Sequence, residues 1–133
     1  FIFNADAGLQ FPDASIQTTA YSPYKTVSTI GVSGITSLSL LNEVVLCDAN
    51  NAEGYINLLL PQTLQSGKVI TVKNINTGSW GVYVQPYDAN TAIELMDGTI
   101  PTSSYATIST TGQSISWICD GTSWRIFSSH TPV

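Results

Sequence analysis

Val69-Ile70-Thr71-Val72-Lys73-Asn74-Ile75, Asn76-Thr77-Gly78-Ser79-Trp80-Gly81 and Val82-Tyr83-Val84-Gln85 follow one another near the middle of the chain. Two β-branched runs flank a stretch of turn formers. Ile70 and Val72 fall on one side of the first run and Thr71 and Lys73 on the other, the period-two pattern of a half-buried strand. Val82 and Val84 repeat it, with Tyr83 and Gln85 turned the opposite way. The spacing predicts a hairpin over Val69 to Gln85. A lone hairpin is marginal in water, so further strands must cover its apolar face.

The rest of the chain supplies them. Thr26 to Leu41 alternates small apolar residues with Ser and Thr, and Gly31 and Gly34 interrupt it, which predicts one or two short strands with a bend. Glu43 to Asp48 reads as a buried strand, Tyr55 to Leu60 as another that stops at Pro61, and Gln62 to Gly67 as a loop or single helical turn. Thr91 to Leu95, Tyr105 to Ser109, Gln113 to Cys119 and Ser123 to Ser128 complete the set. The last two are joined by Asp120-Gly121, a strong two-residue hairpin signal. Eight or nine strands with turn signals every 8 to 12 residues read as an all-β sandwich or jelly-roll-like head domain. Trp117 and Trp124, inside strands, read as core.

The 133 residues make one domain with a short appendage, divided as 1–25 and 26–133. The first part holds Phe1, Phe3, Leu9, Phe11 and Ile16, too apolar for a solvated linker, yet Asp6-Ala7-Gly8 and Phe11-Pro12-Asp13 leave it too irregular to fold on itself. Such a segment packs against something else. The opening residues lack the basic start and long apolar stretch of a signal peptide, and there is no starting Met, so the chain reads as a piece of something longer.

Charged residues make up 10%, against about 25% in an ordinary soluble domain. Thr, Ser and Asn hold the polar positions instead. A net charge of −5 with only Lys25, Lys68, Lys73 and Arg125 as fixed cations argues against nucleic acid, because phosphate binding needs a basic stripe. No apolar run is long enough for a membrane-spanning helix. Cys47 and Cys119 read as two small buried hydrophobes or as a disulfide between strands. A single histidine, His130, gives no metal set, and no cofactor is expected. Asp48, Asp88, Asp97 and Asp120 sit beside turn residues, where capping explains them without calcium. Neither a spaced carboxylate pair nor a Gly-x-Ser-x-Gly motif nominates a catalytic centre, so the reading is non-catalytic.

Two stretches resemble phage tail fibre proteins. Leu9-Gln10-Phe11-Pro12-Asp13-Ala14-Ser15-Ile16-Gln17-Thr18-Thr19-Ala20 is similar to the Phe-x-Asp-Gly-Ser/Thr-x-Gln-Thr-Thr/Ser-Ala segment of virion appendages, often just ahead of a trimeric β-domain. Glu43 to Asp48, Ile56 to Pro61, Gly67 to Asn74 and Cys119 to Trp124 resemble, in order, a viral fibre β-domain. In that pattern a strand ends in Leu-Pro, a Gly-Lys strand follows, and an Asp-Gly-x-x-Trp hairpin closes the domain. The resemblance implies a homotrimer on a virion, with Phe3, Leu9, Phe11 and Ile16 from three chains forming an axial core. It also implies attachment to a host-surface receptor. Trp80, Tyr83 and Tyr87, with Asp88 and Asn90 as hydrogen-bonding partners, are the candidate receptor or glycan patch, since aromatics with polar tips suit sugar stacking and interfaces. The plainer alternative has Trp80 capping the core and Tyr83 packing between subunits. Two other functions remain: a purely structural module such as a fibre shaft or capsid decoration domain, and a polysaccharide depolymerase fragment.

Overall fold

The computed structural model describes residues 24–48, 54–78 and 80–132, together with the backbone of three short strands nearer the amino terminus. Those three, β1 (Ile2–Asn4), β2 (Gly8–Gln10) and β3 (Ile16–Gln17), pair antiparallel into a small sheet of their own. Contrary to the expectation of a segment too irregular to fold on itself, these three strands pair with one another. Of the expected breaks, Gly8 opens β2, and Asp6, Ala7 and Phe11-Pro12-Asp13 lie outside the described residues. Phe3, Leu9 and Ile16 lie on these strands, with Phe3 opposite Leu9. Their side chains lie outside the described part of the structure, as does Phe11.

The body of the chain is all-β. Its strands are β4 (Val27–Ile30), β5 (Gly34–Ser37), β6 (Val44–Cys47), β7 (Ile56–Leu59), β8 (Val69–Asn74), β9 (Val82–Gln85), β10 (Ala92–Ile93), β11 (Ala106–Ile108), β12 (Ser114–Cys119) and β13 (Ser123–His130). They form two mixed sheets, one ordered β10-β13-β12-β8-β6-β4 and the other β11-β9-β7-β5. The architecture is sandwich-like, but its first six strands are wound in an unexpected way. β4, β6 and β8 run parallel in one sheet, and β5, β7 and β9 run parallel in the other. The chain alternates between the sheets, so β4–β5, β6–β7 and β8–β9 stack as three rungs.

This overturns the hairpin predicted for Val69 to Gln85. β8 and β9 are both strands with the expected inward faces, but they lie in different sheets. The edges of β8 are already taken by β6 and β12, so the chain has to leave the sheet. It turns on two buried asparagines. Asn74 Oδ1 accepts the Asn76 N–H at 2.8 Å, and Asn74 Nδ2 donates to the Ile108 carbonyl at 3.1 Å. Asn76 Oδ1 accepts the Gly78 N–H at 2.9 Å, while its Nδ2 donates to the Trp80 carbonyl at 2.7 Å. Thr111 Oγ1 donates to the Asn76 carbonyl. A buried polar group costs free energy unless it is bonded, and here each amide satisfies backbone that would otherwise be orphaned.

The rungs put inward residues into columns. Ser28, Val45, Val72 and Ile115 are successive partners in one sheet, and Gly34, Ile56, Val82 and Ile108 in the other. From the second rung on, these positions are fully buried. Each such side chain contributes about 1.5–3 kcal/mol by leaving water. Trp117 and Trp124 are core, as their sequence setting predicted. Antiparallel strands close one end of the stack: β11 on β9, and the β12–β13 hairpin on β8. That hairpin turns at Gly121, whose φ of +99° suits glycine, where Asp120-Gly121 signalled it. Cys47 and Cys119 are free and buried, which removes the disulfide alternative. Burial pushes the Cys47 thiol up to about 12.

Candidate functional site: an aromatic strip on the outer face

The outward residues of the smaller sheet make rows across its strands. Ile35, Asn57, Tyr83 and Thr107 are successive partners. Tyr55, one residue ahead of β7, and Tyr105, one residue ahead of β11, flank Tyr83 on its two sides. The Tyr55 and Tyr83 rings stack with centroids 4.7 Å apart and planes 26° apart. Tyr83 meets Tyr105 at 5.0 Å, tilted by 56°. Trp80 meets Tyr55 edge-on at 5.3 Å. Trp80, Tyr55, Tyr83 and Tyr105 therefore form one continuous strip, drawn from the β8–β9 arch, two rungs and the closing strand β11.

Three of the four keep a large exposed surface: Trp80 37%, Tyr55 43% and Tyr105 51%. Tyr83 is half-buried at the centre. Burial raises its phenol above the usual range first, the hydrogen bond with Tyr55 next, and the neighbouring Tyr55 and Tyr105 phenols add to this. The phenol stays neutral at physiological pH and acts as a hydrogen-bonding group. Trp80 is fixed through its carbonyl by Asn76. The arch that breaks the expected hairpin is thus what carries Trp80 to the strip.

No protein-family model matches the chain, and no curated protein matches it at a significant level.

Of the residues singled out from the sequence, Trp80 and Tyr83 belong to the strip. Tyr87, Asp88 and Asn90 lie past the end of β9, and the ring contacts do not include Tyr87. Tyr87 is exposed and stands between two surface cavities. Asp88 Oδ1 accepts the Asn90 N–H at 2.8 Å, so this carboxylate is engaged in its own turn. Asp97 and Asp120 cap turns in the same way, toward Thr99 and Thr122. Tyr55 and Tyr105 were missed. Their only signal is an aromatic just before a strand, and it acquires meaning once the pairing between distant strands is known.

Among the described residues the rows of the strip hold Ser, Thr, Asn, Gln, Ile and Leu around the aromatic rings, and no charged side chain. Among the described residues no group of three or more His, Cys, Asp and Glu converges to hold a metal ion. Chemically the strip offers rigid apolar ring surface with hydroxyl and indole donors, and little charge-based selection. Aromatic side chains provide such surface at low entropic cost because few torsions must be frozen.

Proposed function

We propose that this chain is a binding module, the receptor-binding head of a virion fibre, which attaches the particle to a host surface without turnover. The observation that carries the reading is the Trp80–Tyr55–Tyr83–Tyr105 strip: four mutually packed aromatics, three of them well exposed, on one sheet face. Grouped exposed aromatic surface on a small domain marks a recognition site more often than scattered apolar residues do. The neutral hydroxyl-bearing surroundings suit a glycan. Assembly as a homotrimer, with Phe3, Leu9, Phe11 and Ile16 shared among three chains, belongs to the same proposal. Three sites engaging together would turn weak contacts into avidity.

The test is attachment of the purified protein to host cells and to a glycan array, with Trp80→Ala beside the parent chain. Trp80 is partly exposed, so the variant should keep its far-UV spectrum and melting temperature while attachment is lost. Unchanged attachment would discard the strip as the receptor site.

A second reading, a purely structural virion module, is favoured by one observation. Among the described residues no strand pairs with the outer edge of β4 or β5, and residues 26–42 contain no charged residue and no proline, the devices that normally keep sheet edges from pairing. Both readings expect assembly, so attachment separates them: light scattering that shows assembly, beside a glycan array and host cells that capture nothing, favours the structural module.

A further inference from the structure

The loops that follow β5, β7 and β9 gather at the carboxyl ends of three parallel strands, where the segment leading into β11 joins them. Two adjoining cavities open there, of about 460 and 240 Å³, and Tyr87 lines both. The larger falls in the roughly 300–1,000 Å³ range of small-molecule sites. Its walls combine Leu40, Leu41 and Pro61 with Ser39, Gln62 and Thr63. The smaller is bounded by Gln85, Pro86, Ser103 and Ser104 beside Tyr87. Neither cavity has a charged residue in its lining.

The walls are braced. Leu38 N–H donates to the Leu59 carbonyl and Leu60 N–H to the Gln85 carbonyl, both at 2.8 Å. Ser39 N–H donates to Asn42 Oδ1 at 2.8 Å. Ser103, the one non-glycine residue with positive φ among those described, directs both its N–H and its hydroxyl to the Ala89 carbonyl. A site of this kind is formed before its ligand arrives, which spares the ordering cost of binding.

We infer that the double cavity around Tyr87 is a second binding subsite, which takes the continuation of a neutral glycan chain bound on the aromatic strip. This rests on the glycan reading of the strip. Continuity supports it: Gln85 and Ser104 line the smaller cavity, and Tyr105, the last ring of the strip, follows Ser104 and falls beside Gln85 in the sheet register. The lining chemistry selects the ligand. Hydroxyls and amides over apolar walls match a polyhydroxylated chain with apolar ring faces, whereas sulfate, phosphate or carboxylate groups would find no cation there. The exposed Tyr87 ring, positioned between the cavities, serves as the wall against which a sugar ring packs.

The probe is a set of neutral linear gluco- and galacto-oligosaccharides, short and long, with the sulfated counterparts, titrated calorimetrically against the parent chain, Tyr87→Ala and Trp80→Ala. Affinity should rise with chain length for the parent. Tyr87→Ala should remove that rise, at least about tenfold for the long members, and leave the short ones unaffected. Trp80→Ala should weaken all of them. Tyr87 is half exposed, so its variant should melt with the parent. If Tyr87→Ala keeps the parent's length dependence while Trp80→Ala loses binding, the subsite is refuted and the strip reading stands. Tighter binding of the sulfated series would overturn the neutral ligand, and no binding of any member by the parent would overturn both.

Discussion

Replacing each buried tryptophan by phenylalanine should separate two hydrogen-bonding states that the core holds side by side. Trp117 and Trp124 are both fully buried. Trp117 Nε1 donates to the Glu94 carbonyl at 3.1 Å, whereas Trp124 Nε1 is buried with no partner. Phenylalanine removes the same atoms at both positions, so the truncation term, on the order of 1 kcal/mol, is common to the two. Trp117→Phe additionally gives up a hydrogen bond worth about 1 kcal/mol, while Trp124→Phe removes an unsatisfied donor that costs about 1–3 kcal/mol. Trp117→Phe should therefore be less stable than Trp124→Phe by about 2–4 kcal/mol. In a domain of this size that is a gap of about 10 °C in melting temperature. Urea titrations followed by far-UV dichroism measure it as a difference in midpoint at unchanged slope. Equal losses, or a larger loss at Trp124, would refute the reasoning.

Asn76→Ala should cost about 2–3 kcal/mol, because it strips partners from the Gly78 N–H and the Trp80 carbonyl in a buried turn; a shift in tryptophan emission at temperatures where the variant is still folded should show that Trp80 has lost its anchor. Asp120 accepts hydrogen bonds from the Thr122 and Ser123 N–H groups and the Ser123 hydroxyl, which hold its carboxyl well below the usual range. Because the folded value is the depressed one, the stabilisation is fully present above the unfolded value of about 3.9 and is lost as pH falls below it toward the folded value. The melting-temperature gap between the parent and Asp120→Asn should accordingly be widest near neutral pH and shrink as the pH falls below 4; a gap constant across that range would exclude this role.

What the sequence disclosed, and what it withheld, divides at the boundary between local and non-local information. Strand positions and inward faces are local: Ile70, Val72, Val82 and Val84 alternate with polar neighbours, and all four are buried. The β12–β13 hairpin was equally legible, because Asp120-Gly121 specifies a tight reversal within a few residues. The link from Ile75 to Gly81 was not. A run of Asn, Thr, Gly and Ser reads the same whether the chain returns to its own sheet or crosses to the other. The available cue was Asn74 and Asn76 continuing the inward period of Ile70 and Val72, since amides in apolar positions need a bonded turn around them. The site divides the same way. Trp80 and Tyr83 stood out near the arch, but uniting them with Tyr55 and Tyr105 depends on the register between strands apart in sequence, parallel for β7 on β9 and antiparallel for β11 on β9.

The stack of rungs is asymmetric, and the asymmetry bears on both proposals. One end is sealed by β11 and the β12–β13 hairpin, and three members of the strip lie on the second and third rungs or on that seal. Tyr55 and Tyr83 are held by β7 and β9, each paired on both sides, and Tyr105 by β11 on the edge of β9, which lets four bulky rings stay packed and still exposed. At the other end the inward positions of the first rung include Ser28, Gly34 and Thr36, poor material for a terminal core layer, while Val27 and Ile35 are more than half exposed on the outer faces. Among the described residues no strand pairs with the free edge of β4 or β5. Small polar residues facing inward and apolar residues facing outward, on a rung without charge, invert the arrangement of a protected edge. On the reading proposed above, a fold that guards one end with a hairpin and leaves the first rung neutral would separate assembly from recognition, the first rung adding to the axial core proposed for Phe3, Leu9, Phe11 and Ile16 while the sealed end displays the aromatic strip.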